Sequence, residues 1–265
     1  LLQAALEEHH RTVVEKPQNC EKTRLKLSVR RGSAGGLRLC VKEFRWRVFH
    51  AFKGLGRPTQ GLRTFRNGER LEAAGVGVAL PISLIRQKFL GLARKEWVLM
   101  EVIAGALELD RYILSRADVP WTSQERRSLA RSFGRFIGSM HGKGIFHADL
   151  KTCNILASGQ RPQSGETDTR LPGAAVKFSL VDYDDVTLGK VVPERKRIKN
   201  LLQIFLSTPL AVGASDRLRF LTEYALHAGI DRKHRRKMAR QILEAAKGRQ
   251  ILYVGFDGDI VEQWD

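Results

Sequence analysis

A chain of 265 residues with 43% hydrophobic side chains can build one large or two modest cores, and it contains no apolar run approaching the roughly 20 residues that a membrane helix needs. Three cysteines, Cys20, Cys40 and Cys153, lie far apart without metal-ligand spacing, which argues against a disulfide framework or zinc site and suits a reducing cytoplasm. Forty-six Lys and Arg against 28 Asp and Glu leave a formal charge of +18, an excess that attracts polyanions (nucleic acid, phospholipid headgroups or a phosphorylated glycolipid) without choosing among them. The sequence opens on Leu1 with no leader pattern, and a trimmed or partial product is expected.

Alternating and β-branched residues come first. Residues 10–15, 23–30 and 37–42 predict three strands, the last two joined by a Gly-rich turn at 31–36. Residues 63–74 predict a helix with Leu62, Phe65 and Leu71 on one face and a stop at Gly75. Two further strands are expected at 78–85 and 97–103, completing a small antiparallel sheet with one main helix. After Gly105 the character changes. Thr122-Ser123-Gln124-Glu125 has capping-box spacing, and Leu129, Phe133, Phe136, Ile137 and Met140 recur at helical intervals up to Gly142 and Gly144. A loop or hairpin excursion is expected at 158–174, then helices at 195–206, 215–228 and 232–246. The fold class is therefore α+β, with residues 1–104 as a sheet-and-helix domain and 105–265 as a mainly helical one.

The chemistry concentrates in one run. Ile145-Phe146 leads into His147-Ala148-Asp149-Leu150-Lys151, Asn154 follows five residues after Asp149, and a second apolar segment, Phe178-Ser179-Leu180-Val181, ends in Asp182. Phosphoryl transfer asks for a carboxylate to orient a hydroxyl, oxygen ligands for magnesium and cations on the phosphates. Asp149 is the candidate base and Lys151 the candidate neutralising cation. Asn154 and Asp182 supply the oxygens that suit Mg2+. Lys42, closing the strand Leu39-Cys40-Val41, is placed to hold nucleotide phosphates. Its expected partner is Glu69 or Glu72 on the following helix, with Glu69 preferred, and Glu101 opens a segment whose backbone could meet adenine. His147 is read as a buried scaffold residue and Cys153 as a packed thiol. Asp184 and Asp185 are left between metal shell and solvated turn.

On these residues the chain resembles the protein-kinase-like superfamily, and within it the lipopolysaccharide core kinases that phosphorylate Kdo or heptose. The resemblance is strongest at Val41-Lys42-Glu43, residues 144–156 and 180–186, and extends to Arg197-x-x-Asn200-Leu201-Leu202-Gln203. It implies a two-lobed kinase fold with ATP and Mg2+ at the cleft, Asp149 as base, Asn154 and Asp182 as metal ligands and Lys42 on the phosphates. Departures are visible: residues 16–21 hold no Gly-x-Gly-x-x-Gly, Ala148 stands where an Arg is usual, and Asp182-Tyr183-Asp184 replaces Asp-Phe-Gly. Without that Arg, and with few residues before Val192-Pro193-Glu194, a phosphorylation-switched protein kinase is disfavoured. The expected reaction is ATP-dependent phosphorylation of an inner-core sugar hydroxyl, with an anionic glycolipid rather than nucleic acid as partner. The basic helix at 232–246 would rest on the inner face of the cytoplasmic membrane. The competing expectations are a pseudokinase scaffold, or a kinase acting on a small molecule or protein.

Overall fold

The computed structural model describes residues 3, 5–7, 9, 25–30, 39–45, 58–89, 92–115, 121–159, 176–255 and 259–264. The strand expected at 10–15, the connection at 16–21, the turn at 31–36 and nearly all of the excursion at 158–174 lie outside the described residues. The chain divides into two compact units, Leu1–Ile103 with Asp182–Asp185, and Ala104–Val181 with Val186–Asp265.

The first unit is built on an antiparallel sheet of β1 (Leu25–Arg30), β2 (Leu39–Arg45), β3 (Pro81–Phe89) and β4 (Leu92–Glu101), in the order β1-β2-β4-β3. Side chains alternate across a pleated strand, so β2 serves two environments. Leu39 and Val41 pack with Trp97, Leu99 and Ala5, a core to which Glu43 also points. Glu43 is tolerated there because His9 Nε2 and Trp97 Nε1 each lie 3.0 Å from its Oε2, while Arg45 bonds Oε1. Burial alone would push this carboxyl up, but the bonds from His9, Arg45 and Trp97 and the Arg45 charge bring it down to about 2. Cys40 and Lys42 alternate onto the opposite face.

Helix α1 (Gln60–Ala73) stops at Gly75, where φ is +65°. β3 and β4 occupy Pro81–Phe89 and Leu92–Glu101 where 78–85 and 97–103 are expected, so both run further toward the turn that joins them in sequence and stop short at their other ends. Arg94, Lys95 and Glu96 disguise β4 as loop, yet Glu96 is fully buried. It accepts from Gly61 N at 3.0 Å and Thr59 Oγ1 at 2.5 Å at the start of α1, and pairs with Arg86 at 3.1 Å. A strand carboxylate thus caps a neighbouring helix.

The second unit carries α2 (Leu109–Leu114), α3 (Ser123–Gly142), α4 (Glu194–Ser207), α5 (Ala214–His227) and α6 (Arg232–Ala246). The capping box at Thr122 and Glu125 is formed as expected. Gly134 and Gly138 let α3 approach α5: a Cβ at Gly134 would lie 2.4 Å from Phe220 O, and one at Gly138 2.6 Å from Tyr224 O. Short strands complete the unit: β5 (Leu107–Glu108) and β8 (Lys177–Leu180) flank β7 (Ile155–Ser158), β6 (Phe146–His147) pairs with β9 (Val186–Thr187), and β10 (Gln250–Val254) pairs with β11 (Ile260–Trp264). This last hairpin has no counterpart in the sequence reading, which ends its elements at residue 246. Among the described residues, no helix is long and apolar enough to cross a membrane.

Candidate active site

The first unit contributes a lysine, a carboxylate and the device that holds them. Lys42 is buried, and its Nζ lies 5.2 Å from the centre of the Phe44 ring and pairs with Asp182 Oδ1. Asp182 has φ +55°, the one non-glycine residue in the left-handed region among those described. That conformation is uncommon for an L residue and is held here by its neighbours. Tyr183, next in the chain, is fully buried and donates its hydroxyl to Ala79 O. Asn67 on α1 spends its amide on the carbonyls of Tyr183 and Asp184, at 3.0 and 3.1 Å. Gly68 lets the helix come this close, since a Cβ there would meet Pro81 at 2.5 Å and Tyr183 at 3.1 Å.

One expectation is corrected here. The structure does not bring Glu69 to Lys42. Glu69 and Glu72 are both exposed, whereas the buried face of α1 is Gly61, Thr64, Asn67, Gly68 and Leu71, with no carboxylate. Of the expected stripe Leu62, Phe65 and Leu71, only Leu71 is buried, because the rest of the packed face is made of small and amide-bearing residues. Glu101 ends β4 with its side chain exposed, and its N–H donates to Leu80 O at 2.9 Å, which occupies one backbone group of the segment expected to meet adenine. Asp184, left open by the sequence, is buried: burial pushes its carboxyl up against the opposing pull of Lys42 and Gln60, which donates to it. Asp185 is exposed and pairs with Arg63 at 3.4 Å.

The second unit contributes the loop after β6. Gly144 turns the chain into this strand at φ +72°, with the Lys190 carbonyl so near that a Cβ would lie 2.6 Å from its oxygen. His147 is buried; its Nδ1 accepts from Asp149 N at 3.1 Å, so Nε2 carries the proton and faces Val181 O at 3.4 Å. It is a scaffold residue, as its position suggested. Asp149 is half exposed. Its Oδ1 lies 3.2 Å from Lys151 Nζ, and its Oδ2 is 3.4 Å from Asn154 Nδ2. The same Asn154 amide bonds Asp149 O at 2.9 Å, which fixes its orientation, and its Oδ1 lies 4.0 Å from Cys153 Sγ. Asp149, Lys151 and Asn154 are thus brought together. Thr152 roots the loop: its N–H donates to Ser207 Oγ at 2.9 Å and its hydroxyl to Ser207 O at 2.5 Å. Burial, and after it the nearby Asp110, pushes the Cys153 thiol up to about 11, which suits a packed thiol.

Asn154 Oδ1 and the Asp182 carboxylate are hard oxygen donors of the type magnesium takes. Among the described residues no group of three or more His, Cys, Asp or Glu forms an all-protein metal cage. The amide and the carboxylate are each chemically suited to a magnesium ion that otherwise keeps water and nucleotide phosphate as ligands.

Two further features belong to the second unit. An apolar cavity of about 550 Å³ is lined by Ile113, Phe133, Phe205, Leu221 and Ile242, with Arg126, Asp216 and Arg217 among its few polar side chains. On α6, Met238, Ile242 and Ala246 are buried, whereas Arg232, Lys233, Arg236, Lys237 and Arg240 are exposed. Lys237 pairs with Glu194 at 3.3 Å; no such pair is formed by the others among the described residues.

Residues 4–224 match the model of the lipopolysaccharide kinase (Kdo/WaaP) family. The lipopolysaccharide core heptose(I) kinase WaaP of Pseudomonas aeruginosa is 26% identical over 157 residues, which are 58% of this chain and 55% of that protein. The EKC/KEOPS complex subunit BUD32 of Coccidioides immitis is 32% identical over 65 residues, 23% of each chain. The matched stretches thus span about half, or less, of these relatives' lengths. Among solved structures, WaaP in complex with acyl carrier protein covers 84% of this chain and 88% of its own, with a TM-score of 0.54 and 20% identity. At that identity the likeness speaks for the fold, the protein-kinase-like α+β fold.

Proposed function

The chain belongs to the lipopolysaccharide kinase (Kdo/WaaP) family, and on that premise we propose that it transfers the γ-phosphoryl group of ATP to a hydroxyl of an inner-core sugar, Kdo or heptose. The acceptor oxygen attacks the γ-phosphorus, its proton passes to Asp149, and the bond to the β–γ bridging oxygen breaks to release ADP. Lys151, 3.2 Å from Asp149, is suited to neutralise charge on the moving group. Lys42 would hold nucleotide phosphates, and Asn154 and Asp182 the magnesium ion, which supplies charge neutralisation when bound.

The observation that carries this reading is the Asp149 carboxylate, held by Lys151 and Asn154 yet half exposed, as a base that must meet an external hydroxyl requires. ADP release from ATP and Mg2+ with a Kdo- and heptose-containing core acceptor is the test. Asp149→Ala should abolish it while the circular dichroism spectrum is kept, and turnover at the wild-type rate in that variant ends the proposal. A second reading, a nucleotide-binding module without transfer, draws on the absence of a carboxylate from the buried face of α1. Thermal stabilisation by ATP and Mg2+ with no acceptor-dependent ADP release would select it.

Two partners complete the proposal. The exposed cations of α6 suit the inner face of the cytoplasmic membrane, each worth about 1 kcal/mol near an anionic surface. The solved WaaP is bound to acyl carrier protein, and the apolar cavity has the chemistry to accept an acyl chain. Stabilisation by acylated but not by unacylated carrier protein tests that second partner, and equal responses to both count against it.

A further inference from the structure

Helix α4 reaches the loop carrying Asp149 through two side chains whose hydrogen-bonding capacity is spent there. Asn200 is fully buried; its Nδ2 donates to His147 O at 2.6 Å and to Gln203 Oε1 at 2.9 Å. Gln203 Oε1 also accepts from Leu150 N at 3.2 Å, while its Nε2 donates to Ala148 O at 3.0 Å and approaches Asp149 Oδ1 at 3.4 Å. The orientation of this amide is dictated by its partners. Leu150 N–H can only donate and Ala148 C=O can only accept, so oxygen and nitrogen cannot exchange places. One side chain therefore grips the main chain on both sides of Asp149 and touches the carboxylate itself.

Behind it the network continues. Asn200 Oδ1 must accept, since its nitrogen is spent, so His141 Nε2, 3.1 Å away, carries the proton. His141 Nδ1 then accepts from the Tyr224 hydroxyl at 2.9 Å. These residues come from α3, α4 and α5, and tie Gln203 to the helical core of the unit.

We infer that Gln203 is the positioning residue for the base, holding the Asp149 carboxylate in one rotamer through its amide nitrogen while its amide oxygen anchors the loop. This rests on the reading of Asp149 as the base. The two halves of the amide have separable duties. Gln203→Glu keeps an acceptor for Leu150 N and Asn200 Nδ2 but replaces the donor facing Ala148 O and Asp149 by an anion; Gln203→Met, of similar length, loses both.

Single-turnover and steady-state phosphoryl transfer in wild type and both variants provide the first test. A misplacement of about 1 Å costs on the order of 100-fold, so kcat should fall about 10- to 100-fold in each variant with KM for ATP within about twofold. Amide exchange at Leu150 should stay slow in the Glu variant and quicken in the Met variant. A purely structural role would make the Glu variant, with its loop anchored, as active as wild type, and that result overturns the inference.

The second test needs no turnover. Three-bond couplings to Asp149 Cγ in labelled protein report its χ1, and should show one rotamer in wild type and averaging in both variants. Averaged couplings in wild type, or one unchanged rotamer in both variants, overturn the assignment of Gln203. By contrast, wild-type turnover in Asp149→Ala sinks the reading of Asp149 itself, so the two failures are distinguishable.

Discussion

Acidification should loosen the second unit through His141. Burial, opposed by the bond to Asn200 and aided by the nearby Arg197, holds this imidazole down to about 4 from an ordinary 6.5. A depressed folded value means that the unfolded chain binds the proton first. Above pH 6.5 His141 is neutral in both states and contributes no pH dependence. Between pH 6.5 and about 4 the unfolded state binds more protons than the folded one, so stability falls at 1.36 kcal/mol per pH unit, about 3 kcal/mol in all. Below that window both states are protonated at this site and the slope vanishes.

The loss should be local to the helices that His141 joins. Hydrogen exchange measured peptide by peptide from pH 7.5 to 4, corrected for the intrinsic dependence of exchange on pH, should show protection falling together in α3, α4 and α5. His141→Gln removes the titration. Its amide can still donate to Asn200 Oδ1, but Tyr224 loses its acceptor, costing about 1 kcal/mol at pH 7 and flattening the profile below pH 6.5. A wild-type profile already flat across the window, or the same slope in wild type and variant, would refute this reasoning.

Other perturbations address contacts within each unit. Gly134→Ala drives a methyl into Phe220 O at 2.4 Å, forcing α3 from α5; a loss of about 1–3 kcal/mol in chemical denaturation is expected, and a neutral result would contradict the close packing. Asn67→Leu leaves the carbonyls of Tyr183 and Asp184 without their amide donor, so exchange protection of the first unit should drop by about 1–3 kcal/mol and affinity for ATP with Mg2+ should weaken. Unchanged nucleotide affinity would separate α1 from the placement of Asp182. Arg236→Glu with Arg240→Glu should reduce sedimentation with anionic phospholipid vesicles about tenfold or more, and leave thermal stability near wild type because both side chains are exposed. Equal binding by the variant removes α6 from the account of the membrane.

What could be read in advance divides according to the distance over which each signal acts. The loop from His147 to Asn154 was legible because its chemistry is packed into eight consecutive residues, and the Thr122 cap because its partner is three residues away. The shielded face of α1 was not. Hydrophobic periodicity finds Leu71 but not the rest of that face, Gly61, Thr64, Asn67 and Gly68, which serve close approach and a donor to a segment 116 and 117 residues away. The same blindness hid β4, where Glu96 reads as solvent-facing until Arg86, Thr59 and Gly61 are seen around it. In the sequence Asn200 and Gln203 stand out only as part of a helix motif, although three residues apart on one helix they share a face. A polar pair on an otherwise apolar helix face has to find partners or leave the core. On that ground Asn200 and Gln203, set among Leu201, Leu202 and Ile204, were the residues most worth asking about. Their partners are the backbone of His147, Ala148 and Leu150. A buried amide far along the chain from a catalytic motif is therefore a candidate for holding that motif in place.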